Sequence, residues 1–503
     1  MNSNEKPDLS QTEVVAPAAP RDFIQSLGEE ERAALEKKLV RKLDMRLMPV
    51  LLAMIVMNYI DRNALPNARV QGIEEDLGLV GDQYNTAISV LFAGYIALQI
   101  PSNMVLTRVR PSLYLPLCMG LWGIVSACTA LVKNFHGLVV TRFFLGFTEA
   151  PFFPGALFLL SSWYTRKELA TRTAVLYTGS LLSGGFGGLI GAGIQYGLDG
   201  RHGIKSWQWL FIIEGAVTCG LSIVSVFILP DFPHTTKWLS EEEKAIATAR
   251  LREGSGSHDE ERGSLLSGLH MALTDYKVWL LALITITKTS AAAVTSFIPT
   301  LVATFKYGKI QSLLMVAPPY VFAAIVAMSV SISSDRRSER YSHLVIPLAF
   351  GMVGYIIAAT TTGLAPRYFS LFLMLAGVYG GFNVSIAWTS STLPRPIEKR
   401  ATALAITNMV GNFAQIYSPY LYQKKSGPRY IPAMTANTVF VFASICLATI
   451  LRFCLVRENR KLDAIDAAND EEDVVDEKAQ KEEIVQQSIG GLLVLNPGFR
   501  YAL

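Results

Sequence analysis

The sequence predicts an all-α membrane protein in which twelve transmembrane helices form two pseudo-symmetric six-helix bundles. Three observations carry this. Hydrophobic residues make up 51% and charged residues 17% of the 503, whereas a soluble chain of this size carries about 25% charged residues. The apolar residues fall in runs of about twenty, the length that crosses a bilayer as a helix. A hydrophilic stretch over 230–275 then separates six such runs from six more.

The runs are read at 47–66, 86–106, 112–132, 137–161, 171–196 and 208–229, then at 276–303, 312–333, 341–361, 366–387, 401–422 and 434–455. Backbone polar groups in hydrocarbon must be satisfied within their own segment, so these runs are helices and not strands. The expected organisation is a cytosolic N-terminal tail (1–46), an N-terminal six-helix bundle (47–229), a cytosolic linker (230–275), a C-terminal six-helix bundle (276–455) and a cytosolic C-terminal tail (456–503). The bundles span 183 and 180 residues, and each has a short basic loop between its second and third helix, Arg108 and Arg110 in one, Arg336, Arg337 and Arg340 in the other.

Each boundary has a cue. The linker opens with Pro230-Asp231-Phe232-Pro233, continues through Glu241 to Arg252 and ends in the run Gly254 to Ser257. Orientation follows the Lys and Arg bias. The short loops are nearly balanced, and the flanks decide: Lys37, Lys38, Arg41, Lys42 and Arg46 precede the first run and Arg452, Arg457, Arg460 and Lys461 close the last, which places both termini in the cytosol. The first 46 residues contain no apolar signal-peptide core, so the first membrane helix is the expected targeting signal. A net charge of +4 implies no polyanionic partner, so no nucleic acid is expected. Cys118, Cys128, Cys219, Cys446 and Cys454 have no metal-ligand spacing, and their odd number argues against a disulfide framework; they are read as buried free thiols.

The informative residues are the charges inside the apolar runs. A charge at the centre of a membrane helix costs on the order of 3 kcal/mol, so each needs a partner or a water-filled cavity. Five stand out: Asp61 and Arg62 in the first run, Arg142 and Glu149 in the fourth, and Lys288 in the middle of the seventh. Arg142 and Glu149 are about two turns apart, so they share a helix face, roughly 10 Å apart along the axis. Asp61 and Arg62 are adjacent and point in different directions. A planar guanidinium suits a carboxylate ligand, and a buried carboxylate suits proton uptake and release; permanent structural ion pairs are the alternative for each. Lys288, too deep to snorkel easily, pairs either with a carboxylate across the bundle interface or with the substrate. The fifth run is rich in glycine, and Gly184/Gly188, Gly187/Gly191 and Gly193/Gly197 have the small-xxx-small spacing that indicates close helix contact. Tyr95 and Trp388 are the aromatic candidates for lining a site.

Several strings together resemble the major facilitator superfamily and, within it, the anion:cation symporter family. They are Asn58-Tyr59-Ile60-Asp61-Arg62, the run from Arg142 to Gly155 with Gly146, Glu149 and Pro154, Ser162-Trp163-Tyr164, the run from Trp207 through Glu214 to Gly215, Leu229 to Pro233, and Asp335-Arg336 after the eighth run. The fungal branch of allantoate, nicotinate and pantothenate permeases is the most similar part of that family. The resemblance, over about 45–460, implies that the first-helix Asp-Arg pair and the fourth-helix Arg and Glu carry proton coupling and anion binding. By motif these are Asp61 and Glu149 for protons and Arg62 and Arg142 for the anion, to which Lys288, Tyr95, Trp388 and Asn412 are added as substrate-binding candidates. The chain lacks the superfamily's Gly-xxx-Asp-Arg signature and has Pro101-Ser102-Asn103 instead, as this family tends to, and it departs from the family at Trp388-Thr389-Ser390-Ser391-Thr392, where the family has Trp-Ser-Asn-Asn, and at Lys288, which the fungal permeases are not expected to carry. These departures point away from a standard vitamin substrate.

The expectation is a proton-coupled secondary transporter of a small organic anion, a carboxylate, working by alternating access as a monomer in the plasma membrane, without cofactor or metal. An exporter of an acidic secondary metabolite would share the same fold and site. A membrane sensor that binds without transport is the rival of another class, and the weakly patterned C-terminal tail counts against it. No run carries a nucleophile with a base, so an enzyme is not expected.

Overall fold

The computed structural model describes residues 28–106, 109–233, 236, 238–255, 265–393, 397–472 and 500–502. Among them every regular element is helical. The first bundle comprises α1 (Glu29–Gln71), a short α2 (Ile73–Asp76), α3 (Gln83–Leu106), α4 (Pro111–Cys128), α5 (Phe135–Glu149) with α6 (Phe152–Ser161), α7 (Arg166–Gly197) and α8 (Ser206–Ile228). Two linker helices follow, α9 (Glu241–Ser255) and α10 (Leu265–Thr274). The second bundle comprises α11 (Tyr276–Ala292) with α12 (Ile298–Ala303), α13 (Lys309–Leu314) with α14 (Ala317–Arg337), α15 (Tyr341–Thr360), α16 (Leu364–Gly380) with α17 (Phe382–Thr392), α18 (Ile397–Tyr417) and α19 (Ile431–Glu472).

These make the twelve spans read from the sequence, with informative differences. Ten are long and apolar enough to cross a membrane on length and composition alone. The other two, α3 and α18, carry Asn85, Gln99, Asn408 and Asn412, and they pack against each other across the seam between bundles. Helices turned from lipid towards a protein neighbour tolerate such side chains. The fourth span breaks after Glu149, where Pro151 and Pro154 follow, and the seventh, eighth and tenth are also interrupted. Pro299 opens α12, and Pro318 opens α14; proline lacks the N–H a continuing helix needs. Helix α1 begins 18 residues before the expected span and α19 ends 17 residues after it. Hydropathy reports membrane thickness, and a helix does not have to stop where the lipid does. Acidic Glu29, Glu30 and Glu31 favour the α1 N-terminus and Gly72, at φ 110°, ends it.

The seam closes at the end remote from the chain termini. There Arg69 bonds Glu74 at 3.0 Å and Thr300 at 3.4 Å, Lys309 Nζ donates to the Gln71 carbonyl at 2.9 Å, and Thr86 meets Tyr420 at 3.1 Å. The glycine pattern of α7 works as expected: a Cβ on Gly184 would strike the Tyr320 ring, and one on Gly188 would strike the Leu313 carbonyl. Within the first bundle, Gly94 of α3 lies against the Phe143 backbone and Gly146 of α5 against the Leu91 backbone, too close for any side chain at either position.

At the terminus-bearing end, the linker divides its contacts. Trp238 stacks on Trp163 with centroids 6.2 Å apart, Glu243 pairs with Lys42 at 2.7 Å and Arg250 with Glu168 at 3.2 Å, all on the first bundle, while α10 packs on α18 of the second. Burial pushes the Asp231 carboxyl up, but hydrogen bonds from Arg110 and Ser112 outweigh this and hold it below the usual carboxylate range. A second docked segment is 500–502. Tyr501 is buried, its OH accepts from Lys277 Nζ at 3.2 Å, and its backbone N–H donates to Asn459 Oδ1 at 2.8 Å. The cysteines are free, but only Cys118 is buried; Cys128 is exposed and the other three half-buried.

Candidate functional site

The site begins with the two adjacent charges of α1. Successive residues on a helix differ by about 100° in direction, and here that sends Asp61 and Arg62 into separate surroundings. Asp61 is fully buried and accepts three hydrogen bonds, from Thr218 Oγ1 at 2.7 Å, Ser126 Oγ at 2.8 Å and Trp122 Nε1 at 3.2 Å. The donors belong to α4 and α8, so Asp61 lies inside the first bundle rather than on its seam.

Arg62 turns towards Glu149. Its Nε and Nη2 both donate to one oxygen, Glu149 Oε2, at 3.0 and 2.8 Å. The guanidinium also lies 5.2 Å from the Tyr59 ring, 5.1 Å from Tyr95 and 5.7 Å from Phe92. Glu149 is the last residue of α5, and its other oxygen, Oε1, is buried without a hydrogen-bond partner. Shared-face spacing suggested Arg142 as the neighbour of Glu149 along the helix, but the ion pair is made across helices, with Arg62.

Arg142 is 1% exposed. Its guanidinium carbon sits 5.2 Å over the Phe211 ring, and Nε and Nη2 have no hydrogen-bond partner. In this conformation it is sealed inside the bundle.

Lys288 is 3% exposed. Its ammonium lies 5.0 Å over the Phe382 ring, and no ion pair to it occurs among the described residues. Phe382 contacts Tyr177 of α7 with centroids 5.1 Å apart, and Tyr177 contacts Phe153 of α6 at 5.2 Å. Half-buried rings therefore run from Lys288 in one bundle to the segment just after Glu149 in the other.

Two candidates lie elsewhere. Trp388 is buried, and its indole Nε1 donates to the Ala502 carbonyl at 3.1 Å, beneath the docked segment 500–502. It stands six residues along α17 from Phe382, about 9 Å towards the terminus-bearing end. Asn412 is half-buried on α18, beside Gly411, whose Cα faces Thr285 and Thr289 of α11. Among the described residues, no hydrogen bond, ion pair or ring contact joins either to Arg62 or Lys288.

One charged residue was missed. Glu214, in the middle of α8, is 2% exposed and neither of its carboxylate oxygens has a hydrogen-bond partner. It lies within electrostatic reach of Asp61 and Arg142. The energetic criterion that singled out the other five applies equally to Glu214 and would have found it. Among the described residues no group of three His, Cys, Asp or Glu could hold a metal ion.

With this geometry in place, comparison with known proteins fixes the family. The model of the Major Facilitator Superfamily matches residues 51–419. The chain belongs to the major facilitator superfamily. Curated relatives in it include the MFS-type transporter cnsO of Penicillium expansum, 34% identical over 451 residues and covering 86% of each chain. Another is the high-affinity nicotinic acid transporter of Saccharomyces cerevisiae, 29% identical over 459 residues, covering 91% of this chain and 84% of the relative. Among solved structures, an inward-facing, unoccupied bacterial homolog of the human lysosomal transporter Spinster matches with a TM-score of 0.66 at 16% identity, over 80% of this chain and 96% of that one. The inward-open xylose transporter XylE from E. coli matches with a TM-score of 0.62 at 13% identity, over 78% and 94%. This member of the superfamily is thus a multi-pass membrane transporter for a small molecule and not an enzyme, with the major facilitator fold.

Proposed function

We propose that this transporter moves a small organic anion, a carboxylate, by proton symport with alternating access between the two bundles. The observation that carries the reading is the pair of basic side chains, Arg62 in the first bundle and Lys288 in the second, with the rings of Phe153, Tyr177 and Phe382 between them. Arg62 offers a planar fork that suits a carboxylate, and Lys288 is a buried amine with no ionic partner among the described residues, which a bound anion would hold as the ammonium. Coupling follows from competition. Glu149 occupies the Arg62 fork, and protonating Glu149 discharges that pair and frees the fork for the substrate. Proton binding therefore favours anion binding, and by linkage the reverse also holds. Tyr95 packs on the Arg62 guanidinium and holds it facing the seam. Arg142 and Asp61 support the cluster from inside the bundle, and Asn412 belongs to the opposite wall. The basic flanks of α1 and α19 favour cytosolic termini in the plasma membrane, and the chain acts as a monomer.

The test is uptake by purified protein in liposomes, with a panel of radiolabelled carboxylates led by nicotinate, the ligand named for the yeast relative. An acidic exterior should drive accumulation by the wild type. Glu149→Gln should lose that accumulation while keeping counterflow exchange. No pH-driven accumulation of any anion in the panel, or equal loss of both activities in a well-expressed Glu149→Gln protein, overturns the proposal.

A further inference from the structure

We infer that Glu214 is a proton-binding site, protonated in this conformation, with Arg142 as its counter-ion in waiting. Apart from the mutually paired Arg69 and Glu74 at the remote end, the buried interior of the first bundle holds three carboxylates, Asp61, Glu149 and Glu214, against two guanidiniums, Arg62 and Arg142. Fully ionised, the set has one negative charge too many, and one bound proton makes it neutral.

Hydrogen bonding says where that proton sits. Asp61 accepts from three donors, Thr218, Ser126 and Trp122, and Glu149 accepts both N–H groups of Arg62, so both are surrounded as anions. Glu214 receives no donor on either oxygen although it is 2% exposed. An ionised carboxylate in an apolar interior with neither donor nor counter-ion is so unfavourable that the group neutralises instead. The charged groups facing Glu214 are Asp61 from α1, which repels its ionised form, and Arg142 from α5, which attracts it. Arg142 has Nε and Nη2 free and lies over Phe211, one turn from Glu214 on the same helix. When Glu214 gives up its proton to water, turning the Arg142 fork from Phe211 onto the new carboxylate supplies the missing donors. The pair has two arrangements, acid with arginine on the ring, and carboxylate with arginine bonded.

The inference requires no transport reading, and its test is spectroscopic. Infrared difference spectra of the purified, substrate-free protein should show the carbonyl stretch of a protonated carboxylic acid at neutral pH. Glu214→Gln should abolish that band; should it fail to express, Glu214→Asp should shift the band while keeping an acid. Arg142→Gln, which removes the waiting counter-ion, should keep the acid band to higher pH than in wild type. A wild-type protein without an acid band, meaning an ionised Glu214 solvated by internal water, overturns the inference. So does a band that survives unshifted in the Glu214 variants, or one whose loss with pH ignores Arg142.

Discussion

Removing the charges of Arg62 and Glu149 singly and together tests whether the central pair is a coupled unit. Arg62 donates two hydrogen bonds to one Glu149 oxygen, and the side chains are 17% and 0% exposed. Breaking a buried pair costs about 3–5 kcal/mol, because the surviving charge stays buried without its partner. The two single variants differ in what they strand. Glu149→Gln leaves the more exposed member, Arg62, still faced by Tyr59, Tyr95 and Phe92, and keeps one oxygen as acceptor, so it falls at the low end, about 3 kcal/mol. Arg62→Gln strands a fully buried carboxylate and belongs at the high end, about 5 kcal/mol. Arg62→Gln/Glu149→Gln leaves two neutral amides able to bond each other, and since replacing both members of a buried pair is often near neutral, it should cost about 2 kcal/mol or less. The coupling is then several kcal/mol, far above the scatter of about 0.5 kcal/mol for independent sites. Thermal unfolding of detergent-purified proteins reads it directly, with the double variant more stable than either single one. A double variant as unstable as the sum of the singles would show that the two residues do not act as a pair.

Two further outcomes are expected. Lys288→Ala should weaken binding of anionic substrates in the panel more than that of uncharged analogues. Adding Glu149→Gln to Lys288→Ala should not restore expression, because Glu149 already has Arg62 as its partner; restored expression would make Lys288 a structural counter-ion. Gly146→Ala should destabilise by about 3 kcal/mol or more, at the upper end of over-packing costs, since its methyl group would overlap the Leu91 carbonyl. An unchanged melting temperature would refute that contact.

The twelve spans were legible because hydrocarbon imposes a length and an apolar composition that local sequence must satisfy. The break after Glu149 lies inside a run read as continuous, although its cause is local, Pro151 and Pro154. The charges were legible as costly residues, but their partners were not. Arg142 and Glu149 share a face of one helix, yet the pair forms between residues 62 and 149, which only the packing of α1 against α5 brings together. The hydrogen bond of Trp388 was not legible either, because its acceptor lies 114 positions later, beyond any local pattern. Glu214 was hidden differently: it was read as one letter of a family string and not weighed as a charge in hydrocarbon. The ends of α1 and α19 escaped because polar helix carries no hydropathy signal.

The glycines leave the molecule with two kinds of joint. Between α3 and α5, backbone presses on backbone at Gly94 and Gly146 in a reciprocal way, so neither helix can slide or roll without collision, and the two behave as one plate carrying Glu149. Between α7 and the opposite bundle, Gly184 and Gly188 present bare backbone to Tyr320, Leu313 and Val316. At these two positions α7 contributes no side chain, so parting the bundles there withdraws no knob from α7, while Tyr177 and Leu181 on the same helix keep side-chain contacts with Phe382 and with Ala324 and Ala327. It is a plain bearing set beside a welded plate, and motion between the halves meets its least friction where the chain has discarded its side chains.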